Sequence, residues 1–169
     1  MSNTQKLVIA ALLTALVTVA TMAFQVPIPA TKGYINLGDT VIFIAALLLG
    51  PKYGALAGGV GSALADLLSP YAAWAPFTLV IKGIEGFIVG YILYKAFSGE
   101  SNLKSRVAAM ALGGLWMVVG YFAAEVLLYG TPAAIVELPG NLVQASGSAL
   151  IALPVVAVMS RINVFKSVN

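Results

Sequence analysis

Residues 74–97 read WAPFTLVIKGIEGFIVGYILYKAF, and this stretch decides the fold class. An apolar run of about 20 residues, rising 1.5 Å each as a helix, is long enough to cross the roughly 30 Å of bilayer hydrocarbon. This one carries Lys82 and Glu85 in its interior, one helical turn apart and so on one face. A charge at bilayer depth costs on the order of 3 kcal/mol, so two charges kept there call for a reason. Either the pair satisfies itself and fixes helix packing, or it lines a polar cavity for a solute.

The rest of the chain agrees with the membrane reading. Of 169 residues, 60% are hydrophobic and 9% charged, and the mean hydropathy is +0.98. Soluble domains run nearer 45–50% apolar and about 25% charged. No polar run is long enough for a soluble domain, so residues 1–169 are read as one all-α membrane domain. With no cysteine and no histidine, the chain has no disulfides, no thiolate nucleophile, no imidazole base and none of the commonest zinc ligands. The opening MSNTQK and the apolar run behind it have the outline of a secretory signal. The stretch from Leu7 to Phe24 is longer than a usual signal core, however, and is read as a mature helix.

Six helices are expected. The first runs from about Lys6 to Phe24, with Ala11 and Ala15, and Thr14 and Thr18, repeating at the four-residue spacing that lets membrane helices approach closely. Residues 25–39, QVPIPATKGYINLGD, form a long outer loop with an apolar side at Tyr34, Ile35 and Leu37, suited to fold over something. A short helix from about Thr40 to Leu49 begins next to Asp39, whose default role is a cap. The third helix, about Tyr53 to Leu68, is dense in glycine and alanine. Asp66, near its end, either caps the next turn or faces a cavity.

In the fourth helix, residues 74–97, Thr78, Lys82, Glu85 and Val89 share a face, with Gly83, Gly86 and Gly90 on the stripe beside it. The fifth spans about Ser105 to Tyr129 and puts Tyr121 and Glu125 on one side, with Trp116 opposite Glu125, toward lipid or packed elsewhere. Residues 130–140 read as a loop, and the sixth helix as about Asn141 to Ile162, opening with Asn141 and Gln144 on one face.

Six spans put both termini on one side. With the N-terminus inside, the inner segments hold Lys6, Lys52, Lys95, Lys104, Arg106, Arg161 and Lys166, and the outer ones Lys32 alone. By the positive-inside rule both termini are expected to be cytoplasmic. Asp39, Asp66, Glu125, Asn141 and Gln144 then lie at the outer ends of their helices, with Lys82 and Glu85 a little deeper. A pocket open to the outside, on an apolar floor, is expected.

The chain contains no HExxH, GxSxG or GK[ST] pattern and no broad basic face, so proteolysis, ATP hydrolysis and nucleic-acid binding are not expected, nor is enzyme activity. No cofactor and no metal are called for. Two functions survive, a solute-binding transport subunit and a self-contained secondary transporter or channel, although no convincing match between residues 1–85 and 86–169 supports the second.

Residues 34–92, YINLGDTVIFIAALLLGPKYGALAGGVGSALADLLSPYAAWAPFTLVIKGIEGFIVGYI, carry a GD…GPKxG…ALAD…PF…KG run. In this run the chain resembles the substrate-binding S components of energy-coupling factor (ECF) vitamin transporters, in the riboflavin-type branch, whose members are also assigned to hydroxymethylpyrimidine or pyridoxine. The resemblance implies a multi-pass protein of a prokaryotic cell membrane that captures a small vitamin from outside. It also implies partners, a transmembrane coupling subunit and two cytoplasmic ATPases, with Ala11 and Ala15 matching the AxxxA docking motif. Family sites draw on the first outer loop and helices 4, 5 and 6. Here that implies Tyr34, Asn36, Lys82, Glu85, Tyr121, Glu125, Asn141 and Gln144 for a flat heteroaromatic ligand. The alternative role of Asn141 and Gln144 is to cap the sixth helix and bond neighbouring backbone. A Lys82→Ala change is expected to weaken binding and leave the fold intact.

Overall fold

The computed structural model describes residues 2–99 and 101–161. Helix α1 (Asn3–Ala23) opens on a capping box, in which Ser2 Oγ accepts from the Gln5 amide and Gln5 Oε1 accepts from the Ser2 amide. The expected outer loop is more ordered than its prolines foretell. It contains a small antiparallel hairpin, β1 (Val26–Ile28) against β2 (Gly33–Ile35), in the register Val26↔Ile35, Pro27↔Tyr34, Ile28↔Gly33.

Helix α2 (Gly38–Leu49) is buried at every residue, packed among α1, α3, α4 and α6. Its 12 residues rise about 18 Å. Gly50, at φ +86°, turns the chain directly into α3 (Pro51–Leu67). A 3₁₀ turn (Ala72–Trp74) leads into α4 (Ala75–Tyr91), which continues as a π-helical turn over Ile92–Ala96. Helix α5 covers Leu103–Tyr129 and α6 Thr131–Met159. Four helical stretches, Asn3–Ala23, Ala72–Ala96, Leu103–Tyr129 and Thr131–Met159, are long and apolar enough to cross a membrane.

The start of α6 corrects the sequence reading. Residues 131–140 are helix, not loop. Pro132 falls in the first turn, where a missing N–H costs nothing, and Pro139 is accommodated inside the helix. Asn141 and Gln144 are therefore ten or more residues into α6 and do not cap it. The expected end at Ile162, and Lys166, lie outside the described residues.

Glycine sets the closest contact of the fold. A Cβ on Gly54 would come 2.6 Å from the Gly86 carbonyl oxygen, and one on Gly59 would come 2.8 Å from that of Leu79. Helices α3 and α4 thus meet backbone to backbone along the stripe that includes Gly83, Gly86 and Gly90, as the small-residue spacing predicts. This seam turns the Thr78, Lys82, Glu85 and Val89 face of α4 inward, and all four are buried. On α1, the two small-residue rows separate. Thr14 and Thr18 face α3, with Thr18 Oγ1 donating to the Gly61 carbonyl at 2.8 Å, whereas Ala11 and Ala15 lie on the exposed face with Leu12 and Leu16.

Below the hairpin end the interior is apolar, made by α2 with Val89, Leu93, Ala109, Met110, Ala152 and Val156. At the hairpin end it is aromatic and polar.

Candidate ligand-binding site

A cavity of about 20 Å³ lies under the hairpin, walled by the ends of α1, α3, α4, α5 and α6. Six of the eight residues the sequence singles out line it: Tyr34, Asn36, Lys82, Tyr121, Asn141 and Gln144. Glu85 and Glu125 stand behind this wall, each holding a residue that lines it.

Lys82 is the centre of the first group. It is 1% exposed, and its ammonium pairs with Asp39 and, at 3.2 Å, with Glu85 Oε2. Asp39 is fully buried and its second oxygen accepts from Gln144 Nε2 at 2.8 Å, while Gln144 Oε1 accepts from the Asn36 amide at 2.7 Å. A continuous polar chain therefore runs from Glu85 on α4 through Asp39 on α2 and Gln144 on α6 to the hairpin. The cap expected of Asp39 is not made, since no side-chain bond closes the start of α2. The helix presents the carboxylate sideways to Lys82, 43 residues along the chain.

The second group is on the other side of the cavity. Asn141 Nδ2 donates to Glu125 Oε1 at 3.1 Å, and the Glu125 and Glu137 carboxyls are close enough to interact. Glu137, buried and lining the cavity, accepts from the Thr31 hydroxyl in the hairpin. It was missed because residues 130–140 read as loop. Its signal was present, as Glu137 lies four residues before Asn141 and seven before Gln144, one face of a continuous helix.

Asp66 and the aromatic residues complete the enclosure. Tyr34 donates to Asp66 Oδ1 at 2.5 Å and its ring sits 4.2 Å from that of Tyr71. Burial, then the Asp66 charge, raises the Tyr34 hydroxyl above the ordinary tyrosine range, so it remains a donor. Tyr121 donates to Thr78 Oγ1 at 3.1 Å, and its ring lies 5.4 Å below the Lys82 ammonium and 5.9 Å from Trp74. Trp74 is buried and donates to the Lys32 carbonyl at 3.2 Å, which ties the hairpin to the turn that leads into α4. Trp116 lies away from the cavity, half-buried, with its indole donating to the Ile81 carbonyl at 3.1 Å. Among the described residues no group of three acidic side chains is placed to hold a metal.

A membrane-type helical bundle with a polar chamber at one end is thus present, and comparison with known proteins assigns it. The model of the family described as the ECF-type riboflavin transporter S component matches residues 1–161. The chain belongs to that family. It is a multi-pass membrane protein and the substrate-binding S subunit of an ECF-type vitamin transporter. An uncharacterized Pyrococcus woesei protein encoded in the gap 3′ region is 47% identical over 80% of this chain and 88% of its own length. The Lactococcus lactis thiamine precursor transporter HmpT is 35% identical over 84% of this chain and 80% of its own. Among solved structures, the S component for biotin of an ECF-type transporter superposes with TM-score 0.72 at 24% identity, over 95% of this chain and 93% of that one. The S component of a bacterial ECF transporter superposes with TM-score 0.71 at 16% identity, over 94% and 97%. At these identities the two structures share the fold with this S component.

Proposed function

We propose that this S component captures a small heteroaromatic vitamin or vitamin precursor from outside the cell, in the chamber beneath the hairpin. The observation that carries this is the chamber itself. Ionisable and amide side chains from five helices converge, buried, at one end of a bundle that is otherwise apolar, where each costs free energy unless it serves a purpose. Tyr34, Trp74 and Tyr121 offer stacking surface, and Asn36, Lys82, Asn141 and Gln144 offer directional contacts. Glu85 and Glu125 act through Lys82 and Asn141, orienting them. HmpT, described as a thiamine precursor transporter, supports a ligand of this size class.

A cavity of about 20 Å³ holds little more than a water molecule. Ligand therefore enters as the hairpin lifts, and the hairpin closes over it. All six helices serve as spans in this reading, the short α2 sheltered by its neighbours and α3 turning Leu56, Val60, Leu64 and Leu67 outward, with both termini in the cytoplasm of a prokaryotic cell under the positive-inside rule. The chain carries no catalytic role. A transmembrane coupling subunit and two cytoplasmic ATPases supply the energy, and the exposed Ala11 and Ala15 face of α1 is where the coupling subunit docks.

The test is mass spectrometry of the small molecule that copurifies with the protein, followed by binding measurements on it. A heteroaromatic vitamin or precursor bound one to one, and lost on an Asn141→Ala or Gln144→Ala change, is expected. A copurifying ligand of another class, or one whose affinity neither change alters, overturns the assignment of this chamber.

A further inference from the structure

Residues 107–118 of α5 and 142–153 of α6 wall a groove of about 610 Å³ on the outside of the bundle, with Leu115 and Leu150 exposed at its rims. The groove is apolar from end to end. Its one hydroxyl, on Ser146, donates back to the Leu142 carbonyl at 2.8 Å, so no side-chain donor is left in the wall. From residue 107 to 118 the helix rises about 16 Å, which matches one leaflet, half of the roughly 30 Å of bilayer hydrocarbon. A helix of that length and about 10 Å across fills about 1,300 Å³, twice the volume of the groove, whereas a lipid chain is slender enough to lie in it.

The end of the groove away from the hairpin is cationic. Arg106 lies one turn before Met110 on the same face of α5. It donates from Nη2 to Ser160 Oγ on α6 at 3.3 Å and from Nε to Ser101 Oγ at 2.8 Å. The guanidinium therefore bridges the two helices where the groove ends, and uses two of its five N–H groups to do so, both on hydroxyls. Lys104, two residues before it, and Arg161, next to Ser160, are exposed. No carboxylate among the described residues pairs with any of the three, and the α4–α5 connection supplies one acid, Glu100, against them. The first turn of α5 holds no acidic residue, so Lys104 and Arg106 stand where the helix dipole itself favours an anion.

From this geometry, and independently of which vitamin the chamber takes, we infer that the α5–α6 groove binds an anionic phospholipid from the leaflet on the side away from the hairpin. Under the orientation proposed above, that leaflet is the cytoplasmic one. One acyl chain lies along the groove over Ala111, Ala145 and Ala149, whose small side chains hollow it out. The phosphate meets the remaining N–H groups of Arg106, and Lys104 and Arg161 favour a headgroup of net negative charge over a zwitterionic one. The lipid then clamps α5 to α6 at the end opposite the chamber, and so braces the two helices that bring Tyr121 and Asn141 to it.

The experiment is native mass spectrometry of the purified, delipidated full chain in detergent, titrated with palmitoyl-oleoyl phosphatidylglycerol or with phosphatidylcholine of the same chains. One phosphatidylglycerol per chain is expected, bound about tenfold more tightly than phosphatidylcholine. Arg106→Gln should bring that ratio below about threefold. Ser146→Phe, which fills the groove, should expel both lipids. Lys52→Gln removes an exposed cation at the same end of the bundle, on a helix that does not wall the groove, and should change nothing. If Arg106→Gln fails to fold, the double change of the exposed Lys104→Gln and Arg161→Gln should still lower the ratio at least about threefold. Equal binding of the two lipids by the wild type overturns the inference. So does a preference that the arginine and lysine changes leave intact, or that Lys52→Gln reduces as much. A dimer that Ser146→Phe dissolves, with no lipid retained, would overturn it in favour of a second copy of the chain in the groove.

Discussion

Lys82→Met makes the sharpest test of how the chamber is held together. The Lys82 ammonium is 3.2 Å from Glu85 Oε2 and pairs with Asp39 as well, and all three side chains are essentially out of solvent. Two unit charges at that separation attract by about 5 kcal/mol at an effective dielectric near 20. Desolvation offsets most of this, so the intact trio adds little net stability. Its removal in part is another matter. Without the ammonium, two buried carboxylates have no counter-charge, which costs about 3–5 kcal/mol. Lys82→Met is therefore expected to unfold that much more readily in a reversible denaturation in mixed detergent and SDS micelles. The triple change Asp39→Asn, Lys82→Met, Glu85→Gln should recover most of the loss, to within about 1–2 kcal/mol of wild type. This departs from the expectation that Lys82→Ala leaves the fold intact, because the partner 43 residues away is not visible in the local sequence. A single Lys82→Met protein as stable as wild type, or a triple variant no better than the single, would refute the reasoning.

Three further outcomes follow from other parts of the fold. Replacing Ala11 and Ala15 together by leucine should abolish copurification with the coupling subunit and ATP-driven uptake while leaving ligand affinity within about twofold. Normal complex formation by that variant removes α1 from the docking surface. Gly54→Leu should cost about 1–3 kcal/mol or more and weaken ligand binding as well, since its Cβ would press on the Gly86 carbonyl and push α3 off the helix that carries Lys82. Unchanged unfolding would contradict the backbone seam. Tyr34 gives a pH dependence. Its folded pKa is raised above the unfolded value of about 10, so the stability it contributes is complete below pH 10 and is lost as pH climbs beyond it. Tyr34→Phe should flatten part of that decline, and an identical alkaline profile in the two proteins would show that the Tyr34–Asp66 bond carries no such linkage.

Much of this architecture could be read from residues alone, and the misses share a cause. Hydropathy and the three-and-four periodicity of α4 located the buried Thr78, Lys82, Glu85 and Val89 face, because a period survives whatever the neighbours are. The glycine rows of α3 and α4 announced a close contact in the same way. Asp39 and Glu137 were misread since their roles are settled by partners more than 40 and 100 residues distant. A carboxylate next to a helix start looks like a cap, and LPG at 138–140 looks like a break. In a membrane helix, neighbouring groups can satisfy what proline leaves open, so Pro139 stands inside α6 and carries Glu137 onto the chamber face. The hairpin was hidden for a similar reason: its three-residue strands are too short to show alternation, and its place is fixed by Thr31, Lys32, Tyr34 and Asn36 reaching other elements.

Pro139 has one more effect. It removes the amide that would bond back to the Ile135 carbonyl, so the first turns of α6 are joined to the rest of the helix less firmly than an unbroken ladder would join them. Those same turns hold the hairpin through Glu137 on Thr31, and Ile28 and Ile35 rest against Gly140. The hairpin is thus fastened to the one part of α6 that its missing backbone bond leaves least tied to the remainder. Were the chamber to open as proposed, that end of α6 would move with the hairpin, and the lipid-facing outline of the protein would change with the mouth.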